Sequence, residues 1–359
     1  MYWIIREQQK KVTKFNAGTK ARADVDSILI AEGFTPFMVN AELDESQNIL
    51  KKIYLQFTRF FDWKKCVDIF KENDVVVIQY PVRNHTIFLG NILKAIRKKN
   101  VKIIGIIHDL ESLRFAISDN TPTLSKLRFK YEEITALKYF SKIIVHNEHM
   151  KESIHSLFLI SFEMMVSLKI FDYLYKPEKE KEDSKFHDPI LIAGNLDKQK
   201  SGYIYDLPEN LTYQLYGANY DEKNNHHKNV IYKGKFNPDD LPAVLEGSFG
   251  LVWDGPSAKT CEGVFGEYLK INNPHKCSLY LAAGLPVIIW KQAALAPFIE
   301  KNHLGVCVNS LDEIEFILNS ISDEEYEIMS RNCREIGKKI RSGYFLTNAL
   351  RTVMEMENR

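Results

Sequence analysis

DVVVIQYPVRNHTIFLGNILKAIRKKNVKIIGIIHD, from Asp74 to Asp109, carries the pattern that decides the fold. Its two apolar runs, DVVVIQY and VKIIGIIHD, are rich in β-branched residues and lack a polar alternation, so they read as strands buried on both faces. Between them Thr86–Lys99 has helical spacing. Strand, helix and strand in succession predict a parallel pair joined by a crossover, the repeating unit of a doubly wound α/β sheet. Working outward, MYWII, PFMV and SKIIVHN add strands, and Lys20–Glu32, Leu43–Phe70, Leu124–Phe140 and Glu148–Phe158 add helices.

The alternation stops at KPEKEKEDSKFHD, Lys176–Asp188, which has the composition of a solvated linker, and restarts beyond it. PILIAGN, LTYQLYG, KNVIYKG, FGLVWDG, LPVIIW and LGVCV are strand candidates there. Asp239–Leu245, Pro274–Ala283, Ala293–Lys301, Leu311–Ile321 and Glu324–Ile340 are the matching helices. The expected organisation is a first Rossmann-like domain over 1–175, a linker over 176–188 and a second over 189–340. A final helix over 341–359 is expected to pack back on the first domain, and a ligand cleft between the domains, at the carboxyl ends of the strands.

The 359 residues are enough for two cores, and a net charge of +1 gives no basic field for nucleic acid. Five scattered cysteines without a CxxC pair fit reduced thiols, not a disulfide frame or zinc site. The opening MYWIIREQQKKV is charged too soon for a secretory signal. The most apolar window, Leu157 to Phe171, is interrupted by Glu163 and Lys169, short of the roughly 20 apolar residues a membrane span needs. A cytoplasmic protein is expected, with room for peripheral contact at the inner face of the membrane.

Phe249–Trp290 is the richest segment for chemistry. A strand ends at Asp254-Gly255, and Asn272-Asn273-Pro274-His275-Lys276 opens a helix. Asn273 has N-cap chemistry, Pro274 suits a first turn, and a helix N-terminus with His275 and Lys276 suits a diphosphate. The same residues also read as a capped helix with a basic pair. After the first strand beyond the linker comes Gly194-Asn195-Leu196-Asp197-Lys198-Gln199-Lys200. Gly194 would admit a ligand to the backbone and Lys198 or Lys200 would meet phosphate, or the stretch is a plain turn. Tyr216-Gly217 ends another strand, where base stacking or backbone contact competes with a simple terminus.

In the first half Ala17-Gly18-Thr19 precedes a helix as a phosphate-facing loop would, without a GxGxxG or P-loop pattern. His108-Asp109-Leu110-Glu111 ends VKIIGIIHD; a carboxylate there is placed for base catalysis, or Asp109 caps the next segment. Gln79-Tyr80-Pro81 and Asn84-His85 share that ambiguity. No DxD loop and no metal-ligand spacing occurs, so no metal cofactor is expected.

HDLESLRF, VHNEHMK, AGNLDKQKSGYIYDLP and WDG…GEYLKINNPHKCSLYLAAGLPVIIW together make the chain resemble bacterial galactofuranosyltransferases. They equally resemble the related glucosyltransferase that extends glycans on serine-rich adhesins. The resemblance implies the two-Rossmann GT-B fold, a UDP-sugar donor held mainly by the second domain, metal-independent transfer and subunit association. Thr19, Asn195, Lys198, Lys200, Tyr216 and Asn272 through Lys276 are the donor-site residues it implies. The expectation is transfer of a hexose, galactofuranose ahead of glucose, to a glycan, lipid-linked glycan or glycopeptide in one inverting step. Asp109 is the first choice of base and Glu111 the second. An epimerase or phosphorylase on the same fold, or a non-catalytic sugar-binding protein, is the alternative.

Overall fold

The computed structural model describes residues 1–8, 17–41, 49–83, 88–115, 123–177, 185–224 and 227–357. The chain folds as two compact units. The first alternates β1 (Tyr2–Gln8), α1 (Ala17–Ala31), β2 (Thr35–Asn40), α2 (Ile49–Ile69), β3 (Val75–Tyr80), α3 (Leu89–Arg97) and β4 (Lys102–Ile107). It continues with α4 (Glu111–Phe115), α5 (Thr123–Leu137), β5 (Lys142–Val145), α6 (Glu148–Phe158) and β6 (Met165–Ser167). All six strands are parallel, in the order β2-β1-β3-β4-β5-β6. β3 is buried at every position and β4 at all but its first, as strands covered by helices on both faces must be.

The second unit contains β7 (Ile190–Asn195), α7 (Lys198–Ser201), β8 (Tyr213–Ala218), β9 (Val230–Gly234), α8 (Leu241–Val244), β10 (Phe249–Val252), α9 (Gly263–Tyr268) and α10 (His275–Ala282). Then come β11 (Val287–Trp290), α11 (Ala296–Lys301), β12 (Gly305–Val308), α12 (Ile314–Asn319), α13 (Asp323–Arg341) and α14 (Tyr344–Glu357). Its parallel sheet runs β9-β8-β7-β10-β11-β12. Counted from β7 that is 3-2-1-4-5-6, the order of dinucleotide-binding Rossmann sheets.

The second unit runs from Lys169 to Leu346 and takes in α1 through Asp24; α14 from Thr347 on belongs to the first. There Lys102 Nζ reaches the Glu357 carbonyl at 2.7 Å and Thr347 Oγ1 the Glu32 carboxylate at 3.0 Å. β6 was not anticipated, because three residues inside one long apolar stretch have no period to read. Asn84 and His85, and the expected start of α2 at Leu43, lie outside the described residues. Among the described residues no helix is long and apolar enough to cross a membrane.

Candidate active site

The second sheet reverses its strand order between β7 and β10, and open α/β sheets bind ligands beyond the carboxyl ends of the strands at such a point. Gly194 and Asn195 end β7. Gly194 sits at φ +130°, a region that favours glycine. Asn195 is exposed, and its Oδ1 accepts from the Asp197 amide at 3.1 Å and from Asn219 Nδ2 at 2.8 Å. Asp197 in turn caps α7 by accepting from the Gln199 amide at 2.9 Å. Lys198 is exposed; Lys200 is half-buried, its Nζ 5.6 Å from the centre of the Phe265 ring. The Gly255 amide donates to the Lys200 carbonyl at 2.7 Å, which ties the loop after β7 to the loop after β10.

Helix α10 brings the next residues to this edge. The Tyr280 ring lies where a Cβ on Gly250 of β10 would sit, and its hydroxyl accepts the Ala193 amide of β7 at 2.7 Å. A helix seated so closely leaves little freedom to its first turn. Lys276 Nζ donates to the Trp253 carbonyl at 2.8 Å and to Asp254 Oδ1 at 2.7 Å, with the two side chains 10% and 7% exposed. Burial lowers the Lys276 pKa, the Asp254 charge opposes that, and Lys200 lowers it further. Two of the three ammonium hydrogens are thus engaged inside the protein, which leaves the third for a ligand.

Asn273 is a correction. Pro274, in extended backbone, stands at the N-cap position, and no side chain caps the helix. Asn273 is buried, and its amide donates instead to the Lys169 carbonyl at 3.0 Å. Proline's fixed φ suits either position, so the sequence alone misplaces the start by one residue.

His275 corrects a second expectation. Its ring stacks on Tyr173, centroids 4.9 Å apart at 29°. Burial first, and then the nearby Lys20 charge, lower its pKa to about 4, against a hydrogen bond to the Asp172 backbone. At neutral pH the ring is uncharged. Its N–H goes to Asp172, and Nε2 is buried without a partner, as is Asn272 Oδ1. Both open atoms are acceptors, which a ligand hydroxyl satisfies and a phosphate oxygen does not. Lys20, near the start of α1, is buried and held by Asp24 at 2.6 Å, Asp239 at 3.0 Å and the Leu174 carbonyl at 2.7 Å. Gly18 and Thr19 lie inside the first turn of α1, not in the loop expected before it, and Thr19 interacts within the protein.

Tyr216 is 1% exposed, its ring 5.8 Å from Phe236 and its hydroxyl on Gln214 at 2.6 Å, so the expected base stacking has no free face. Gly217 answers to packing: a Cβ there would meet the Gly194 carbonyl oxygen at 1.8 Å.

In the first unit, Asp109 and Glu111 stand at the carboxyl end of β4, half-buried and both engaged within the protein. Beside them His108 Nε2 bonds Gln79 Oε1 at 2.7 Å, Gln79 Nε2 donates to Asp26 at 2.7 Å, and Arg6 holds Asp26 at 3.0 Å. Glu133 of α5 was missed, because Glu132-Glu133 on an amphipathic helix reads as a solvated pair. It is buried, accepting from the Ser112 amide at 3.1 Å and from the Ser112 hydroxyl, and burial pushes its carboxyl up to about 7. Tyr173 was missed because the apolar stretch before the linker offered no motif.

Comparison with known proteins agrees with this architecture. The sequence profile of the glucosyltransferase 3-like N-terminal domain matches residues 1–159, and that of the C-terminal domain matches residues 190–353. The β-1,6-galactofuranosyltransferase WbbI of Escherichia coli (strain K12) is 34% identical over 292 residues, 79% of this chain and 80% of that protein. Glucosyltransferase 3 of Streptococcus gordonii is 27% identical over 283 residues, 77% of this chain and 78% of that one. Among solved structures, a sucrose-phosphate synthase from Thermosynechococcus elongatus superposes with a TM-score of 0.64 at 13% identity, covering 100% of this chain and 99% of that one. With two parallel Rossmann-like sheets and both domain profiles matched, the chain belongs to the glucosyltransferase 3-like family and is a glycosyltransferase of the GT-B fold.

Proposed function

We propose that the enzyme transfers a hexose from a UDP-sugar to a hydroxyl of a glycan, lipid-linked glycan or glycopeptide, with galactofuranose ahead of glucose as the sugar. The ranking follows the relatives, since WbbI is named a galactofuranosyltransferase at 34% identity and glucosyltransferase 3 stands at 27%. The observation that carries the donor site is the entrance of α10. A lysine pinned to Asp254 at the strand-order switch is flanked along the chain by Asn272 and His275, whose Oδ1 and Nε2 are buried acceptors that no protein group fills. Such a set suits a ligand that is anionic at one end and rich in hydroxyls at the other.

In this reading the third hydrogen of Lys276 goes to the β-phosphate, and Lys200 adds positive charge next to it. The charge on that phosphate grows as the glycosidic bond breaks, so a pre-placed ammonium favours the transition state over the ground state. His275 and Asn272 take hydroxyls of the sugar or ribose. Asp109, or failing it Glu111, removes the proton of the acceptor hydroxyl in a single inverting displacement. Because lysines meet the diphosphate, activity in EDTA should match activity in magnesium. The work is assigned to the cytoplasm, at the inner face of the membrane, by a homo-oligomer that light scattering would register above 41.7 kDa.

The deciding experiment is UDP release from a panel of UDP-sugars with and without glycoside acceptors. Acceptor-dependent release with UDP-galactofuranose supports the assignment. Isomerised sugar without acceptor would make the protein an epimerase, and binding without turnover a sugar-binding protein.

A further inference from the structure

Helix α2 turns Leu50, Tyr54, Phe57 and Phe61 outward, 75%, 66%, 53% and 57% exposed. Steps of four, three and four residues put them on one line along the helix. Helix α5 repeats the line with Leu127, Tyr131 and Ile134, 60%, 63% and 37% exposed. The β2–β3, β3–β4 and β4–β5 crossovers all advance the same way across the sheet, and right-handed crossovers then place α2, α3 and α5 on one face. Helix α3 packs against both neighbours, so the two apolar lines belong to one layer.

The border of these lines is basic. Lys64 and Lys65 follow Phe61 at helical spacing, and Lys130 and Lys138 do the same around Leu127 and Ile134. Lys65 pairs with Asp62 at 2.8 Å; Lys64 and Lys130 have no ion pair among the described residues. Exposed Asp68 is the one carboxylate that continues the α2 line. A second copy brought against this face would set lysines against lysines. An anionic surface would meet them with opposite charge while taking up the phenylalanine and tyrosine rings.

We propose that the α2–α5 face docks the enzyme on an anionic lipid bilayer, with Tyr54, Phe57, Phe61 and Tyr131 entering the headgroup boundary and the lysines on lipid phosphates. The side of the membrane rests on the functional reading above; the surface itself does not. This is the chemistry of an interfacial helix, whose binding combines buried apolar area with attraction to anionic lipid.

The test is co-sedimentation of the full chain with phosphatidylcholine vesicles and with vesicles that also contain phosphatidylglycerol. Wild type should pellet only with the second kind and be released by salt, which screens the attraction. Phe57→Ser with Phe61→Ser, and separately Lys64→Glu with Lys130→Glu, should each weaken binding by roughly tenfold or more, with melting temperature and UDP affinity unchanged. Equal binding to both vesicles, or no loss in the charge-reversed variant, overturns the proposal. So does a wild type that stays in solution as a dimer and becomes a monomer on Phe57→Ser with Phe61→Ser, since the face then belongs to a second copy. Vesicle binding by a protein that fails to bind UDP would sink the donor reading and leave this one standing.

Discussion

The carboxyl edges of the two sheets solve opposite problems. At the first, side chains are linked in a chain: Arg6 holds Asp26, Asp26 holds Gln79, Gln79 takes the His108 N–H, and separately Glu133 closes on Ser112. At the second, an ion pair is buried, and Asn272 and His275, neighbours of Lys276 along the chain, each keep a buried acceptor open. Buried polar atoms are almost always paired, so open acceptors close to a strand-order switch are where the proposed donor would supply the missing partners.

The contrast is broken most directly at Lys276. Lys276→Ala strands the buried Asp254 charge, and unfolding in urea should show a loss of about 3–5 kcal/mol. UDP binding should weaken roughly tenfold to a hundredfold by calorimetry, while uridine, without phosphates, should weaken little. Equal loss of both ligands would mean a damaged fold and no phosphate role.

Glu133 tests whether the first edge is closed by charge or by shape. Its folded pKa is raised from 4.5 to about 7. The folded state therefore holds the proton more tightly, and this carboxyl's contribution to stability is present below pH 4.5 and lost as pH rises through about 7. Glu133→Gln keeps an acceptor for Ser112 and removes the titration. It should gain on wild type by an amount on the order of 3 kcal/mol between pH 4.5 and 7, measured by urea unfolding. A difference independent of pH would show that Glu133 is not the titrating group.

Asp109→Asn should lower turnover by roughly 10²-fold with UDP affinity intact. If turnover hardly changes and Glu111→Gln lowers it instead, the base is two residues further on.

The smallest effect is expected at His275. His275→Phe should cost about tenfold in affinity for the UDP-sugar and leave UDP unchanged, because a lone pair that receives a sugar hydroxyl does not touch the diphosphate. With a folded pKa near 4, the ring should impart no step to binding between pH 6 and 8. A step in that window, or equal losses for UDP and the UDP-sugar, would return His275 to the phosphate.

The strand pattern was legible because parallel strands buried on both faces are mostly apolar, and β3, β4 and β7 each carry a single polar residue, Gln79, Lys102 and Asn195, at or near an end. The start of α10 was legible to within one residue, since an asparagine followed by a proline marks a helix start. The states of its residues were not. That Lys276 is spent on Asp254, that His275 is neutral against Tyr173, and that Asn273 faces Lys169 all depend on partners 22 to 104 positions away. Glu133 was illegible for the same reason: local spacing says which face of α5 it shares, not that Ser112 meets it there.

Tyr280 has a consequence for how this enzyme can change. Its ring on Gly250 and its hydroxyl on Ala193 fasten α10 to the sheet, one turn past the residues proposed to meet the ligand. The grip on the diphosphate and the reading of the hydroxyls then become separable: Lys276 points back to the strand loop at Asp254, while Asn272 and His275 stand free of it. On the proposed assignment, replacing those two side chains would change the hydroxyls the socket accepts without unseating the helix that forms it.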